Sequence, residues 1–255
     1  MWITKAWRRS GTSSRAAIDE GLWRDVVSRY EFLRTLTPVE QKRLRDLAQR
    51  FLFSKQLSGA AGLQLTDQMC MVIAGQACLL ILNLGLEYYR GWVEVIIYPG
   101  DFMPRREYTD EDGVVHIERE PMQGEAWLQG PVILSWKAAH SENNHGVNVV
   151  IHEFAHKLDM LNGEPNGFPP LHDDMCREDW AQDFSRAYQD FCARVDRGED
   201  TAVDPYAAES PAEFFAVLSE VFFECPQLLK GTYAEVYRQL SRFYRQDPAT
   251  RVMHR

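Results

Sequence analysis

From Met69 to Leu86 the chain contains no Asp, Glu, Lys or Arg. A run of that length either crosses a bilayer as a helix or lies buried in a protein core, and each option dictates how the remaining elements must be arranged. Gln76, Asn83, Gly75 and Gly85 interrupt the run, acidic Asp67 and Glu87 flank it, and no Lys/Arg cluster stands beside it. These features fit a helix at the centre of a globular core, so no membrane association is expected. A chain of 255 residues with 45% hydrophobic content can wrap such a helix within one large domain.

Charge and thiols narrow the partners. The 28 basic and 37 acidic residues leave a net charge of −9, which repels phosphate backbones and anionic lipid, and direct nucleic-acid binding is not expected. The five cysteines, Cys70, Cys78, Cys176, Cys192 and Cys225, are widely spaced and form no CxxC pair. They read as reduced thiols, most of them filling the core, in a cytoplasmic protein. The first ten residues are basic but precede no apolar run, so they do not read as an export signal. Residues 1–20 read as a loose arm and 21–255 as a single domain, with order beginning near Leu22.

Thr37-Pro38-Val39-Glu40 has the form of a capped helix start, and Leu44, Leu47 and Phe51 continue it at helical spacing toward Ser58-Gly59. After the uncharged run, Val93 to Tyr98, Val114 to Ile117 and Val132 to Trp136 read as short strands of a small sheet. Val132 to Ser135, if it forms a sheet edge, can hold an extended peptide by backbone pairing. Helical periodicity returns over 146–161, 180–195, 210–224 and 233–244, with Asn162-Gly163 as a stop signal. This order predicts an α+β fold, mostly helical outside the sheet.

The segment from 146 to 161 contains His152-Glu153-Phe154-Ala155-His156. HExxH on a helix places two imidazoles on one face, where both can bind one metal ion, while the glutamate between them can take a proton from an activated water. As an ordinary polar face, the same residues would leave two partly buried imidazoles seeking partners and Glu153 paired with Lys157. A zinc peptidase needs a third protein ligand, and the positions that would continue the motif to a third histidine hold Asp159 and Asn162. A glutamate on a later helix is the alternative. Glu213 qualifies, but Ser210 to Glu213 is equally a capping box, and Glu209, Glu220 and Glu224 compete on spacing. Asp159 can orient a ligand imidazole or sit exposed near the helix end. His116, His140, His145 and His172 stand at no ligand spacing, and surface or loop roles are expected for them.

Several segments together resemble the Mlc titration factor A family of bacterial zinc peptidases, over about Leu36 to Pro248. They are Ile97-Tyr98-Pro99, the Gly130-Pro131 turn before a strand ending at Trp136, Ile151-His152-Glu153 with Ala155-His156-Lys157-Leu158-Asp159, Tyr206-Ala207-Ala208, and Pro211-Ala212-Glu213 followed by Phe215-Ala216-Val217-Leu218-Ser219-Glu220. The resemblance implies a zincin-like core and one Zn2+ per chain held by His152, His156 and Glu213. It implies Glu153 as the catalytic carboxylate and Tyr206 facing the metal, in an aminopeptidase-like enzyme acting on peptide or protein substrates. It also implies a different role, a regulatory protein that sequesters the glucose repressor Mlc independently of hydrolysis. A purely structural zinc fits poorly, because two histidines and one glutamate leave a coordination position open.

Overall fold

The uncharged run does form a buried helix, and three preceding helices are laid out before it. A computed structural model describes residues 3–5, 18–103, 106–109, 115–118, 122–141 and 146–251. The early helices are α1 (Glu20–Arg29), α2 (Glu31–Arg34), α3 (Pro38–Ser54) and α4 (Asp67–Leu80). Asp19 caps α1 by accepting from Leu22 N–H at 2.8 Å. At α3 the expected capping box is complete: Thr37 Oγ1 accepts from Glu40 N–H at 3.3 Å and Glu40 Oε2 accepts from Thr37 N–H at 2.8 Å. Helices α1 and α3 pack on α4, whose residues from Met69 to Leu80 are all buried.

One expected boundary moves, and tertiary contacts move it. The central helix stops at Leu80 because Gln246 donates to the Leu79 carbonyl at 2.8 Å and Asn83 donates to the Arg245 carbonyl at 2.7 Å. The chain then turns through Gly85 at φ 101°. Helix α3 ends at Ser54, before Ser58-Gly59 as expected, where the Lys55 ammonium is drawn inward to the carbonyls of Tyr89 and Trp92 and lies 3.7 Å from the Trp92 ring centroid. No helix among the described residues is long and apolar enough to cross a membrane.

The strands are β1 (Ile3–Lys5), β2 (Gln56–Gly59), β3 (Glu94–Tyr98), β4 (Arg106–Thr109), β5 (Val115–Glu118), β6 (Gly124–Ala126) and β7 (Val132–Ser135). One mixed sheet has the order β1-β2-β3-β7-β6: β2, β3 and β7 are parallel, and β1 and β6 run antiparallel at its two edges. Strand β5 does not join this sheet, as expected of it, but pairs with β4 in a separate hairpin. Strand β7 is internal, so the edge expected at Val132 to Ser135 lies instead at β6. In the segment read as a loose arm, Ile3–Lys5 pairs with β2, while residues 6–17 lie outside the described residues.

The second half is helical: α5 (Trp136–Ala139), α6 (Val149–Asp159), α7 (Arg177–Asp196), α8 (Pro211–Glu224), α9 (Pro226–Thr232) and α10 (Ala234–Tyr244). The chain is therefore α+β, as the segment order predicted. Helix α6 lies against α4, β6, β7 and α8. Its Phe154 packs with Phe51, Tyr89 and Trp92, at ring separations of 5.7, 5.1 and 5.7 Å. No disulfide links the cysteines; Cys70 and Cys78 are buried, Cys176 is exposed and the other two are half-buried, so fewer of them fill the core than expected.

One polar group sits inside the central helix. Gln76 is fully buried, donates to the Ala139 carbonyl at 3.0 Å and accepts from Asn148 Nδ2 at 2.7 Å. Replacing Gln76 with Leu removes the donor to the Ala139 carbonyl and leaves Asn148 Nδ2 with Glu224 as its one acceptor, and urea denaturation is expected to register a loss of about 1–3 kcal/mol. An unchanged midpoint would show that this buried pair contributes nothing to the fold.

Candidate metal centre

Asn148 starts α6, its side chain accepting from Ile151 N–H at 3.0 Å, and the apolar side of the helix faces the core through Val150, Ile151, Phe154, Ala155 and Leu158. The opposite edge presents His152 and His156, which meet Glu213 from the first turn of α8. His152 Nε2 lies 3.0 Å from Glu213 Oε2, His156 Nε2 lies 3.3 Å from the same oxygen, and the two Nε2 atoms are 3.2 Å apart. Ligands at about 2.0–2.1 Å from a tetrahedral zinc stand about 3.3 Å from one another, so these separations fit one ion.

The open question over Glu213 resolves into a division of labour. The Ser210 hydroxyl accepts from Glu213 N–H at 3.1 Å, so Ser210 caps α8. The Glu213 carboxylate does not return to the Ser210 backbone but points at the two imidazoles. Burial opposes its charge, yet hydrogen bonding from both histidines holds the Glu213 carboxyl well below the usual range.

Glu220, a rival ligand on spacing, stands behind the cluster. Its Oε1 is 2.7 Å from His152 Nδ1, and its Oε2 accepts from Asn148 N–H. Burial opposes charge on the His152 ring, but Glu220 and Glu213 outweigh it and raise the ring's pKa well above its ordinary value. A proton on Nδ1 shared with Glu220 leaves the Nε2 lone pair directed at the other two donors, which is the tautomer a metal requires. The donor set therefore fits a divalent cation: the carboxylates of Glu213, Glu220 and Glu153 surround two imidazoles, an excess of negative charge that a cation would balance.

Glu224 completes the acidic face of α8, accepting from Asn148 Nδ2 at 2.8 Å and from Gly146 N–H at 3.0 Å. Glu209 is exposed and outside the cluster. Glu213, Glu220 and Glu224 are spaced seven and four apart, which places them on one helix face. That periodicity groups them in sequence but does not say which of them is the ligand.

Glu153 is buried, at 5% exposure, and burial pushes its carboxyl up to about 7 despite the nearby histidines. Edge strand β6 passes over it at Gly124, where a Cβ would stand 2.3 Å from Glu153 Oε1. Lys157 does not pair with Glu153 as an ordinary polar face would have it; its ammonium donates to the carbonyls of Trp127 and Gly130, at 2.5 and 3.0 Å.

Tyr206 reaches the site by another route than continuous helix. It lies on a 3-10 turn (Pro205–Ala208), anchored by Asp204 Oδ1 accepting its N–H at 2.9 Å, and Ser210 is extended before α8 begins. Its ring stands 6.0 Å from the His152 ring and is 42% exposed. Asp159 is neither exposed nor bonded to His156. Its Oδ2 accepts from the N–H groups of Asn166 and Gly167, at 2.8 and 2.7 Å, while Oδ1 and His156 Nδ1 are both buried without a hydrogen bond. Gly167, at φ 77°, would bring a Cβ within 2.4 Å of the Pro211 carbonyl, so Asp159 fixes the loop against which α8 starts. Of the remaining histidines, His172 is half-buried and bonded to the Phe243 carbonyl at 2.8 Å, and His140 is exposed; the side chains of His116 and His145 lie outside the described residues.

Glu220→Gln keeps the shape but weakens the acceptor behind His152. Metal affinity, measured by competition with a chromogenic chelator, is expected to fall about 10–100-fold. An affinity equal to the parent's would remove Glu220 from this role.

Comparison with known proteins places this geometry in a family. The chain matches the glucose-regulated metallo-peptidase M90 family over residues 4–245, which takes in the N-terminal stretch that the motif resemblance left out. It is 42% identical over 237 residues to Mlc titration factor A of Salmonella arizonae, covering 91% of this chain and 93% of that protein. It is also 42% identical to the proteins of the same name from Salmonella schwarzengrund and Salmonella typhi, over 90% of this chain and 88% of each. A match over nearly its whole length, with a His-His-Glu cluster suited to a metal ion, means that this chain belongs to the glucose-regulated metallo-peptidase M90 family.

Proposed function

We propose that the protein is a zinc-dependent peptidase with a zincin-like core in residues 21–255, aminopeptidase-like in its preference, and that Glu153 is its general base. The observation that supports this best is the convergence of His152 Nε2, His156 Nε2 and Glu213 Oε2 within 3.3 Å of one another, beside a buried carboxyl whose pKa is about 7. His152, His156 and Glu213 would hold one zinc ion, which supplies Lewis acidity that makes water a stronger acid and polarises a carbonyl.

The chain's own residues do the rest. Glu153, ionised, accepts a proton from the attacking water and passes it to the departing amine, and a pKa near 7 suits both transfers. Glu220 holds His152 in one tautomer and one orientation. Tyr206, whose ring stands 6.0 Å from that of His152, would donate its hydroxyl hydrogen to negative charge developing on the substrate carbonyl. Gly124 lets the edge strand lie close over Glu153, so a peptide paired to that strand has its backbone beside the base. The aminopeptidase preference follows from the family resemblance. The absence of disulfides among five cysteines supports the cytoplasm as the compartment.

Glu153→Gln is expected to lower kcat/KM on peptide reporters by about 10²–10⁴-fold while one zinc per chain is retained by elemental analysis. Comparable turnover in the variant would exclude Glu153 as the base. Because a carboxylate base works above its pKa, activity is lost as pH falls through it. The acid limb of kcat/KM should therefore have its midpoint near the Glu153 value of about 7. A limb centred far from that value would point to a different group.

A second role is favoured by the relatives' name, which describes titration of Mlc. Sequestration of a transcriptional repressor of that kind would need a surface rather than hydrolysis. Glu153→Gln would bind Mlc as the parent does in a pull-down with purified repressor. Failure of the parent to bind removes this second role.

A further inference from the structure

The residues just beyond the edge strand are not explained by the hydrolytic centre. Strand β6 runs alongside α6: Gly124 lies against Glu153, and Lys157, one helical turn further on, holds the Trp127 carbonyl. The turn from β6 to β7 is tied down. Trp127 N–H donates to the Pro131 carbonyl at 3.1 Å, Gly130 N–H donates to the Trp127 carbonyl at 3.0 Å, and Lys157 bonds two of the turn's carbonyls. Gln129 takes a left-handed conformation at φ 57° to close it, and a Cβ at Gly130 would stand 2.7 Å from Trp127 Cβ. Yet this constrained turn presents its two large apolar side chains to solvent, Trp127 at 51% and Leu128 at 37% exposure. Exposed apolar groups on a fixed backbone cost little ordering entropy when they bind, which makes them efficient contact points.

We propose that Trp127 and Leu128 form a subsite for a bulky apolar side chain of an extended peptide, about three residues from the bond that lies at Glu153. The spacing comes from the strand: Gly124 marks the base, and three residues at roughly 3.3 Å each lead to Trp127. Continuity with β6 names the occupant, because a peptide that pairs with this edge beside Glu153 is carried directly onto the turn. For an enzyme that removes N-terminal residues, only the C-terminal side of the scissile bond extends that far, so the subsite reads the interior of an oligopeptide and is invisible to short reporters. The proposal rests on the hydrolytic reading of the site.

The test uses the full zinc-loaded chain and a set of alanine hexapeptides in which one Leu is moved through the positions after the first. The parent's kcat/KM is expected to peak about tenfold above the all-Ala peptide when Leu stands near the third residue beyond the cleaved bond, which is what burying one leucine side chain supplies. Trp127→Ala should bring that ratio close to one. Calorimetric binding of the same peptides to Glu153→Gln, and to Glu153→Gln combined with Trp127→Ala, supplies a readout independent of turnover. If nothing is cleaved but the Leu peptide binds Glu153→Gln about tenfold tighter and loses that advantage with Trp127→Ala, the subsite stands and the hydrolytic reading falls. A flat series in both assays, or a peak that survives Trp127→Ala, overturns the subsite.

Discussion

The contact between α6 and α8 is the constraint on which the site depends, because it is made of charge in a buried place. His152, Glu153 and His156 from one helix meet Glu213 and Glu220 from the other, and Glu153 and Glu220 are each about 5% exposed or less. Removing ionised groups from water is costly unless opposite charge and hydrogen bonds compensate for it. Here the His152 ring, hydrogen-bonded to Glu213 and Glu220, and the amides of Asn148 and Gly146 supply the partners. Neither helix could keep this face inward alone, so the pairing of the two helices and the binding of a cation are one problem with one solution.

Helix α8 manages the problem by splitting its surface. Phe214 and Phe215 pack with Phe184, at ring separations of 6.4 and 6.3 Å, and Phe222 and Phe223 pack with Tyr244 at 5.5 and 5.0 Å. Those rings hold the helix rigidly, and its acidic face is thereby fixed against α6. The base of α8 is set independently by Asp159, whose carboxylate orders the Asn166–Gly167 turn that abuts Pro211. A side chain read in sequence as a candidate partner for a ligand imidazole thus acts on the position of Glu213 instead.

What was legible in the sequence follows from how local each signal is. The buried helix, the α3 capping box and the HExxH helix announce themselves within one stretch of chain, and each lies close to where it was expected. The acids of α8 could be shortlisted but not sorted, because sorting requires knowing which face meets α6. Strand β6 escaped notice since Gly124-Glu125-Ala126 has neither alternation nor β-branched residues; it is a strand because β7 pairs with it. The end of α4 was missed for the same reason: Gln246 and Arg245, far away in sequence, take up the groups that end it.

Lys157 shows how such non-local roles can hide inside a motif. As a helix residue next to a histidine of the candidate metal centre it looks like a hindrance, since its charge opposes that of a cation. The structure turns the ammonium away from the site, into two carbonyls of the β6–β7 turn and within 5.1 Å of the Trp92 ring centroid. A neutral side chain there would leave the Trp127 and Gly130 carbonyls without this donor, and the turn would lose its attachment to α6. The lysine therefore fixes the spacing between Glu153 and the end of the edge strand from a position one helical turn further along α6.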